Sequence, residues 1–151
     1  MITIDEFKKK LSNGSRLLGI DLGTKRIGIS ISDYNQKIAT PLQTLEKSKQ
    51  VKFIDELENI IKENDIKGII IGNPINMNGT YGKSSQSAKD TAINISNKFN
   101  IPVSLWDERL STVGAFNLSS ELDVNVSKRE KDIDKFAAAF ILQGALDFIQ
   151  N

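Results

Sequence analysis

Residues 17–32 constrain this fold more than any other stretch of the chain. Leu17-Leu18-Gly19-Ile20-Asp21 is an apolar run that ends in a carboxylate. A Gly-containing turn follows, and then Ile27, Ile29 and Ile31 alternate with Gly28, Ser30 and Ser32. A period of two on either side of a tight turn predicts two strands joined as a hairpin. A carboxylate on so apolar a strand is costly to bury unless it has a hydrogen-bonding partner, a cation, or an open cleft in front of it. Asp21 is therefore the first candidate for chemistry. The alternative is a turn aspartate that caps the hairpin through its own backbone.

Which chemistry is open to Asp21 is narrowed by what the chain lacks. It has no cysteine and no histidine, which removes disulfides, thiolate metal sites, imidazole bases and His-ligated zinc together. Acid–base or metal chemistry must run on carboxylates, lysine, tyrosine or backbone groups, and hard oxygen ligands favour Mg2+ or Mn2+. The 151 residues suit one domain with a real core. Twenty basic and 19 acidic residues leave a net charge of +1, so only local clustering can mark a polyanionic partner. With no signal-peptide core and no apolar run near the ~20 residues needed to span a bilayer, a soluble, cytoplasmic protein is expected.

In chain order, Ile4, Phe7 and Leu11 share a helical face over 3–11, with Thr3 and Glu6 spaced as a capping box. Lys8, Lys9 and Lys10 end that helix as a solvated face suited to its dipole. After the hairpin, 38–45 reads as a strand that Pro41 confines to an edge or margin. Val51, Ile54, Leu57 and Ile61 predict an amphipathic helix over 51–64, and the continuous apolar run 66–71 a parallel strand covered on both faces. The Gly- and Asn-rich loop 72–82 lies beyond that strand's carboxyl end, where ligands sit in open α/β sheets. Its backbone N–H groups, around Asn76 and Gly79, can meet an anion, though such residues also make ordinary loops.

Ala88, Ala92, Ile95 and Phe99 give the next helix, 84–99, a small-residue face, and 103–106 is a fifth strand. It ends in Asp107-Glu108-Arg109-Leu110-Ser111-Thr112, two carboxylates and a guanidinium where a strand stops. The competing explanation is a cap for a helix over 112–118, with Arg109 in a surface ion pair. The polar stretch 121–131 reads as a mobile loop whose Lys128 and Arg129 contact phosphate. Ile133, Phe136, Ala137, Phe140, Ile141, Gly144, Ala145 and Phe148 then follow the spacing of a long helix with one broad buried face. Asp134 falls in its expected first turn, where the helix dipole suits an acid, and Ala137-Ala138-Ala139 let the helix approach the sheet closely.

This order builds a five-stranded mixed α/β sheet flanked by helices on both faces. If the first strand is central, acids at its end, at the end of the last strand and at the start of the last helix can converge on one cleft. Three such oxygens can hold two divalent ions about 3.5 to 4 Å apart, an arrangement that activates water against a phosphodiester. Lys25, Arg26, Arg109, Lys128 and Arg129 would neutralise substrate phosphates.

Four segments in order carry a family resemblance: Gly19-Ile20-Asp21-Leu22-Gly23-Thr24 with Arg26-Ile27-Gly28, the loop Gly72-Asn73-Pro74-Ile75-Asn76-Met77-Asn78-Gly79-Thr80, Asp107-Glu108-Arg109-Leu110-Ser111-Thr112, and Asp134-Lys135-Phe136-Ala137-Ala138 with Leu142-Gln143-Gly144. Together they resemble the YqgF (RuvX-like) family. The resemblance implies a single ribonuclease H-like nuclease domain over 1–151, with 1–14 as an N-terminal helical extension. It further implies a metal-dependent nuclease maturing the 5′ end of pre-16S ribosomal RNA, or alternatively a Holliday junction resolvase. It makes Asp21, Glu108 and Asp134 the catalytic, metal-binding triad for Mg2+ or Mn2+. Matching motif positions give Thr24, Asn76, Gly79, Ser111 and Thr112 a place at the substrate. Structured RNA or branched DNA is the implied partner, and a homodimer would suit a two-fold junction. Asn73 and Asn78 depart from the Leu and Asp more usual in the family.

Two readings compete with the nuclease. Asp-Leu-Gly-Thr after a strand also resembles the phosphate loop of the actin, Hsp70 and sugar-kinase superfamily, which needs two such lobes. A module that binds RNA or an assembly factor without cutting is the other.

Overall fold

A computed structural model of the chain describes residues 1–47, 50–74, 82–108 and 126–151, the side chains of residues 50 and 126–132 excepted. Its strands are β1 (Arg16–Leu22), β2 (Arg26–Ser32), β3 (Ala39–Glu46), β4 (Ile66–Asn73) and β5 (Val103–Asp107), and its helices α1 (Ile4–Lys10), α2 (Gln50–Glu63), α3 (Lys83–Phe99) and α4 (Val126–Gln150). The sheet order is β3-β2-β1-β4-β5. The first strand is central, antiparallel to β2 and parallel to β4. As Pro41 requires, β3 is an edge strand, and its register slips between Gln43 and Pro41, leaving Leu42 as the extra residue of a bulge.

Because strand residues alternate between faces, each strand feeds two cores. Leu18, Ile20, Ile69, Ile71 and Val103 pack on one side against Phe53 and Leu57 of α2 and Ala88, Ala92 and Ile95 of α3. Leu17 and Ile70 pack on the other against Phe7 of α1 and Ile141, Leu142, Ala145, Leu146 and Ile149 of α4. Thr3 caps α1 by accepting from the Glu6 amide at 3.2 Å, the partnership its spacing predicts. This N-terminal helix buries Phe7 completely, and the Ile2 amide donates to the Val103 carbonyl at 3.0 Å beside the β5 edge.

Three expectations are corrected. The buried line of α2 runs through Phe53, Leu57 and Ile60, while Val51 is exposed and Ile54 and Ile61 are half-buried; two apolar spacings overlap here, and the aromatic one faces the sheet. The expected loop 121–131 is instead helical from Val126, because Lys128, Arg129, Glu130 and Lys131 are good helix formers that carry no apolar stripe to betray them. Asp134 thus lies in the third turn of α4, so the first-turn dipole does not account for it. The stripe of α4 is rotated too: Ala138, Ala139, Ile141, Leu142, Ala145, Leu146 and Ile149 are buried, while Phe136 and Phe140 flank the contact and Phe148 is exposed. Glycines on β1 and β2 admit the helix there: a Cβ on Gly19 would meet Leu142 and the Ala138 carbonyl, and one on Gly28 the Asp134 carbonyl. The expected helix over 112–118 and most of the loop 72–82 lie outside the described residues.

Candidate active site

Strand parity aims the acids. Leu17, Gly19 and Asp21 form the row of β1 that faces α4, since Leu17 packs with that helix and a Cβ on Gly19 would meet Leu142 and the Ala138 carbonyl. On β5, Val103 and Leu105 pack in the opposite core, whereas Trp106 packs with α4. Glu108, two residues past Trp106, emerges on the α4 face, and Asp107 belongs to the other by parity. A Cβ on Gly72, at the end of β4, would lie 2.6 Å from Ile141 Cδ1 and 2.9 Å from Glu108 Cγ. Only glycine leaves room for the Glu108 side chain to cross β4 toward Asp21.

Asp21 and Glu108 meet in a side-chain hydrogen bond. Burial pushes the Glu108 carboxyl up to about 8, helped by the Asp21 charge, by the hydrogen bond it gives to Asp21 and by Asp107. Burial likewise raises Asp21 to about 6; the bond from Glu108 pulls it down and the charge on Asp134 pushes it up. At neutral pH the pair therefore holds one shared proton, with Glu108 donating.

Asp134 reaches this end of the sheet through another glycine. A Cβ on Gly28, the register partner of Asp21, would collide with the Asp134 carbonyl, so β2 admits the α4 backbone only because Gly28 has none. Two pairs further along, Ser30 Oγ donates to the Ala138 carbonyl at 2.7 Å and fixes the helix at that height. Asp134 Oδ2 then accepts from Arg26 Nε at 2.8 Å in a half-buried ion pair. So Asp21 and Glu108 touch, and Asp134 lies within their electrostatic reach but is drawn to Arg26. Among the described residues no three acids are placed to hold a metal ion as they stand.

The remaining sequence candidates separate. Thr24 and Lys25 are exposed on the β1–β2 turn beside Asp21. Lys128 and Arg129 belong to the first turn of α4. Asn76, Gly79, Arg109, Ser111 and Thr112 lie outside the described residues. What sequence reasoning missed is the glycine set Gly28 and Gly72, whose signal was a glycine in each of two strands within one residue pair of a candidate acid. It also missed Asn73, which is buried and accepts from Ser85 Oγ at 2.7 Å, tying the end of β4 to α3.

Comparison with known proteins agrees with this architecture. The model of the RuvX family, described as a Holliday junction resolvase, matches residues 15–148. The chain belongs to the RuvX family. A relative from Pelagibacter ubique, named as a candidate pre-16S rRNA nuclease, is 63% identical over the full length of both chains. One from Chelativorans sp. with the same name is 42% identical over 99% of this chain and 94% of its own. Among solved structures, Thermus thermophilus RuvC in complex with a Holliday junction substrate aligns with a TM-score of 0.56 at 12% identity, covering 91% of this RuvX chain and 96% of that one. That likeness assigns the ribonuclease H-like fold. No helix among the described residues is long and apolar enough to cross a membrane.

Proposed function

We propose that this RuvX chain is a metal-dependent nuclease that hydrolyses phosphodiester bonds in maturing the 5′ end of pre-16S ribosomal RNA. The observation that carries the reading is the half-buried Asp21–Glu108 pair, two acids from distant parts of the chain joined by a side-chain hydrogen bond. Burial and mutual repulsion make a dication a better occupant than the shared proton, and an all-carboxylate donor set fits Mg2+ or Mn2+. Asp21 and Glu108 would hold it, joined by Asp134 once the Arg26 guanidinium withdraws. Such ions, when bound, supply an activated water and stabilise the leaving oxygen.

The chain's own groups supply the rest. Asp21 sits at the end of a central strand whose neighbours are paired on both sides, which holds its carboxylate rigidly. Glu108 carries the proton that must leave before both acids can bind one cation, so metal affinity rises with pH. Arg26, released from Asp134, is within reach to meet a substrate phosphate as a planar, permanently charged donor.

The test is cleavage of a pre-16S leader RNA in Mg2+. Asp21→Asn and Asp134→Asn are expected to lower turnover by about 10³-fold, several kcal/mol of lost charge stabilisation, with unchanged circular dichroism. Full activity in either variant removes the assignment. The family description favours a second substrate, and preferential cutting of a four-way DNA junction in the same assay would establish it. Binding without turnover and indifferent to Mg2+ would leave a non-catalytic RNA module.

A further inference from the structure

Across the end of the sheet from the carboxylates lies a cavity of about 150 Å³ that the reading above does not use. Its lining begins one residue beyond Asp21, at Leu22, and includes Thr24, Lys47, Lys83, Ser84 and Ser87. Leu22 packs toward the α2–α3 core, so the cavity opens on the face opposite Asp21, at the same carboxyl end of β1. We infer that this cavity holds a backbone phosphate of the nucleic-acid strand whose neighbouring phosphate is presented to Asp21 and Glu108. The inference rests on the nuclease reading and adds a second point of attachment to it.

Three observations from separate parts of the chain support it. First, the cations are placed. The Lys47 amide donates to the Lys25 carbonyl at 2.9 Å and its Nζ to the Gly23 carbonyl at 3.3 Å, which holds its charge beside the β1–β2 turn. Lys83 enters from α3. Second, among the described residues neither lysine is in an ion pair with a carboxylate, although four such pairs form elsewhere in the fold. Third, among the described residues the remaining polar side chains of the lining are the hydroxyls of Thr24, Ser84 and Ser87, and none of the lining residues is an acid. Two point charges and three small donors suit a phosphate oxygen and read no base, as expected of contacts that set position rather than sequence.

The electrostatics of the neighbouring site favour such a contact. Before a cation binds, the charges on Asp21 and Asp134 repel a polyanion, and Arg26 is engaged by Asp134. Cations close by but off the α4 face offset that repulsion. A strand that crosses the end of β1, from Lys47 and Lys83 to Asp21, meets both the cations and the acids.

The test is binding of a labelled single-stranded RNA, followed by anisotropy over a KCl series, with Asp21→Asn protein so that the probe survives. Lys47→Gln/Lys83→Gln in that background is expected to bind at least tenfold more weakly at low salt. Its slope of log K against log[KCl] should be shallower by about 1.4, two contacts at about 0.7 each on a single strand. Both lysines are exposed, so the fold is kept, and the Mn2+ affinity of the same substitutions in the wild-type chain should match the parent's. An unchanged slope overturns the cavity's role while leaving the nuclease reading standing. A parent that binds no nucleic acid in Mn2+ overturns both. Displacement of the RNA by ATP at low micromolar concentration would make the cavity a mononucleotide site and overturn the strand path.

Discussion

The two faces of β1 are built to different rules. Toward α2 and α3 it presents Leu18 and Ile20, each fully buried among Ile29, Ile69 and Ile71. Toward α4 the row is Leu17, Gly19, Asp21, which passes within five residues from a full side chain, to none, to a charge. The first face is a close-packed core whose contribution scales with the apolar area removed from water. The second gives up side-chain volume so that a helix backbone can descend and set Asp134 beside Asp21. One face stabilises the sheet, and the other spends packing on placing three acids.

Truncating the apolar face should break this comparison most strongly on one side only. Ile69→Ala leaves a void under fully packed residues, and a loss of about 2 to 5 kcal/mol is expected by urea unfolding. Mn2+ affinity of the folded fraction should be retained, because Ile69 packs in the α2–α3 core, on the face of the sheet away from α4. Gly28→Ala is the counterpart on the α4 face. Its Cβ meets the Asp134 carbonyl, so α4 must lift, at a cost of about 1 to 3 kcal/mol. Here the smaller loss of stability comes with the larger loss of metal binding. A Gly28→Ala protein with parental Mn2+ affinity would show that close approach of α4 does not position Asp134.

That contrast also explains what the sequence disclosed. The hairpin, the edge placement of Pro41 and the small-residue face of α3 were all legible, because each follows from periodicity or from a residue with narrow backbone freedom; the central position of β1 was a condition of the reading, and the sheet order meets it. Asp21 stood out as a charge on an apolar strand. The choice between Asp107 and Glu108 was open to residue reading alone and came from resemblance; in the fold it reduces to parity, since Trp106 and Glu108 share a face. The start of α4 stayed hidden because 127–132 is polar throughout, and periodicity sees only helices that bury something. The rotation of α4 was missed for a related reason. Its phenylalanines dominate the pattern by size, yet the line of closest approach is set where Gly19 and Gly28 admit Leu142 and the α4 backbone, and that depends on residues more than a hundred positions away.

The shared proton allows a subtler test of the same contrast, one that the apolar face cannot show. Unfolded carboxyls titrate near ~4, whereas burial lifts Asp21 to about 6 and Glu108 to about 8. Between those values the folded chain holds protons that the unfolded chain has released. Their contribution is complete below about pH 4 and is lost as pH rises past 6 and then 8. In EDTA the urea midpoint should therefore fall from pH 5 to pH 9, and Mg2+ should flatten the decline by replacing the proton. A flat metal-free profile would show that the two acids are not proton-linked.

The smallest expected effect falls on the ion rather than on the fold, and it concerns Arg26. Its guanidinium neutralises Asp134 at 2.8 Å, the position from which that carboxylate must turn if it is to share a cation with Asp21 and Glu108. On the proposed reading, arginine and metal ion compete for one acid. Arg26→Gln removes the competitor and leaves a neutral side chain that can still donate, so Mn2+ affinity measured by calorimetry without nucleic acid should rise about tenfold, roughly 1.4 kcal/mol. Arg26→Lys keeps the charge but loses the planar fork, and should fall between the two. Phosphodiester cleavage should move the opposite way, with KM rising as the substrate loses its cation. If Arg26→Gln instead weakens Mn2+ binding, the ion pair is a brace that holds Asp134 in place for the metal, and the α4 face owes its order to Arg26 as much as to Gly28.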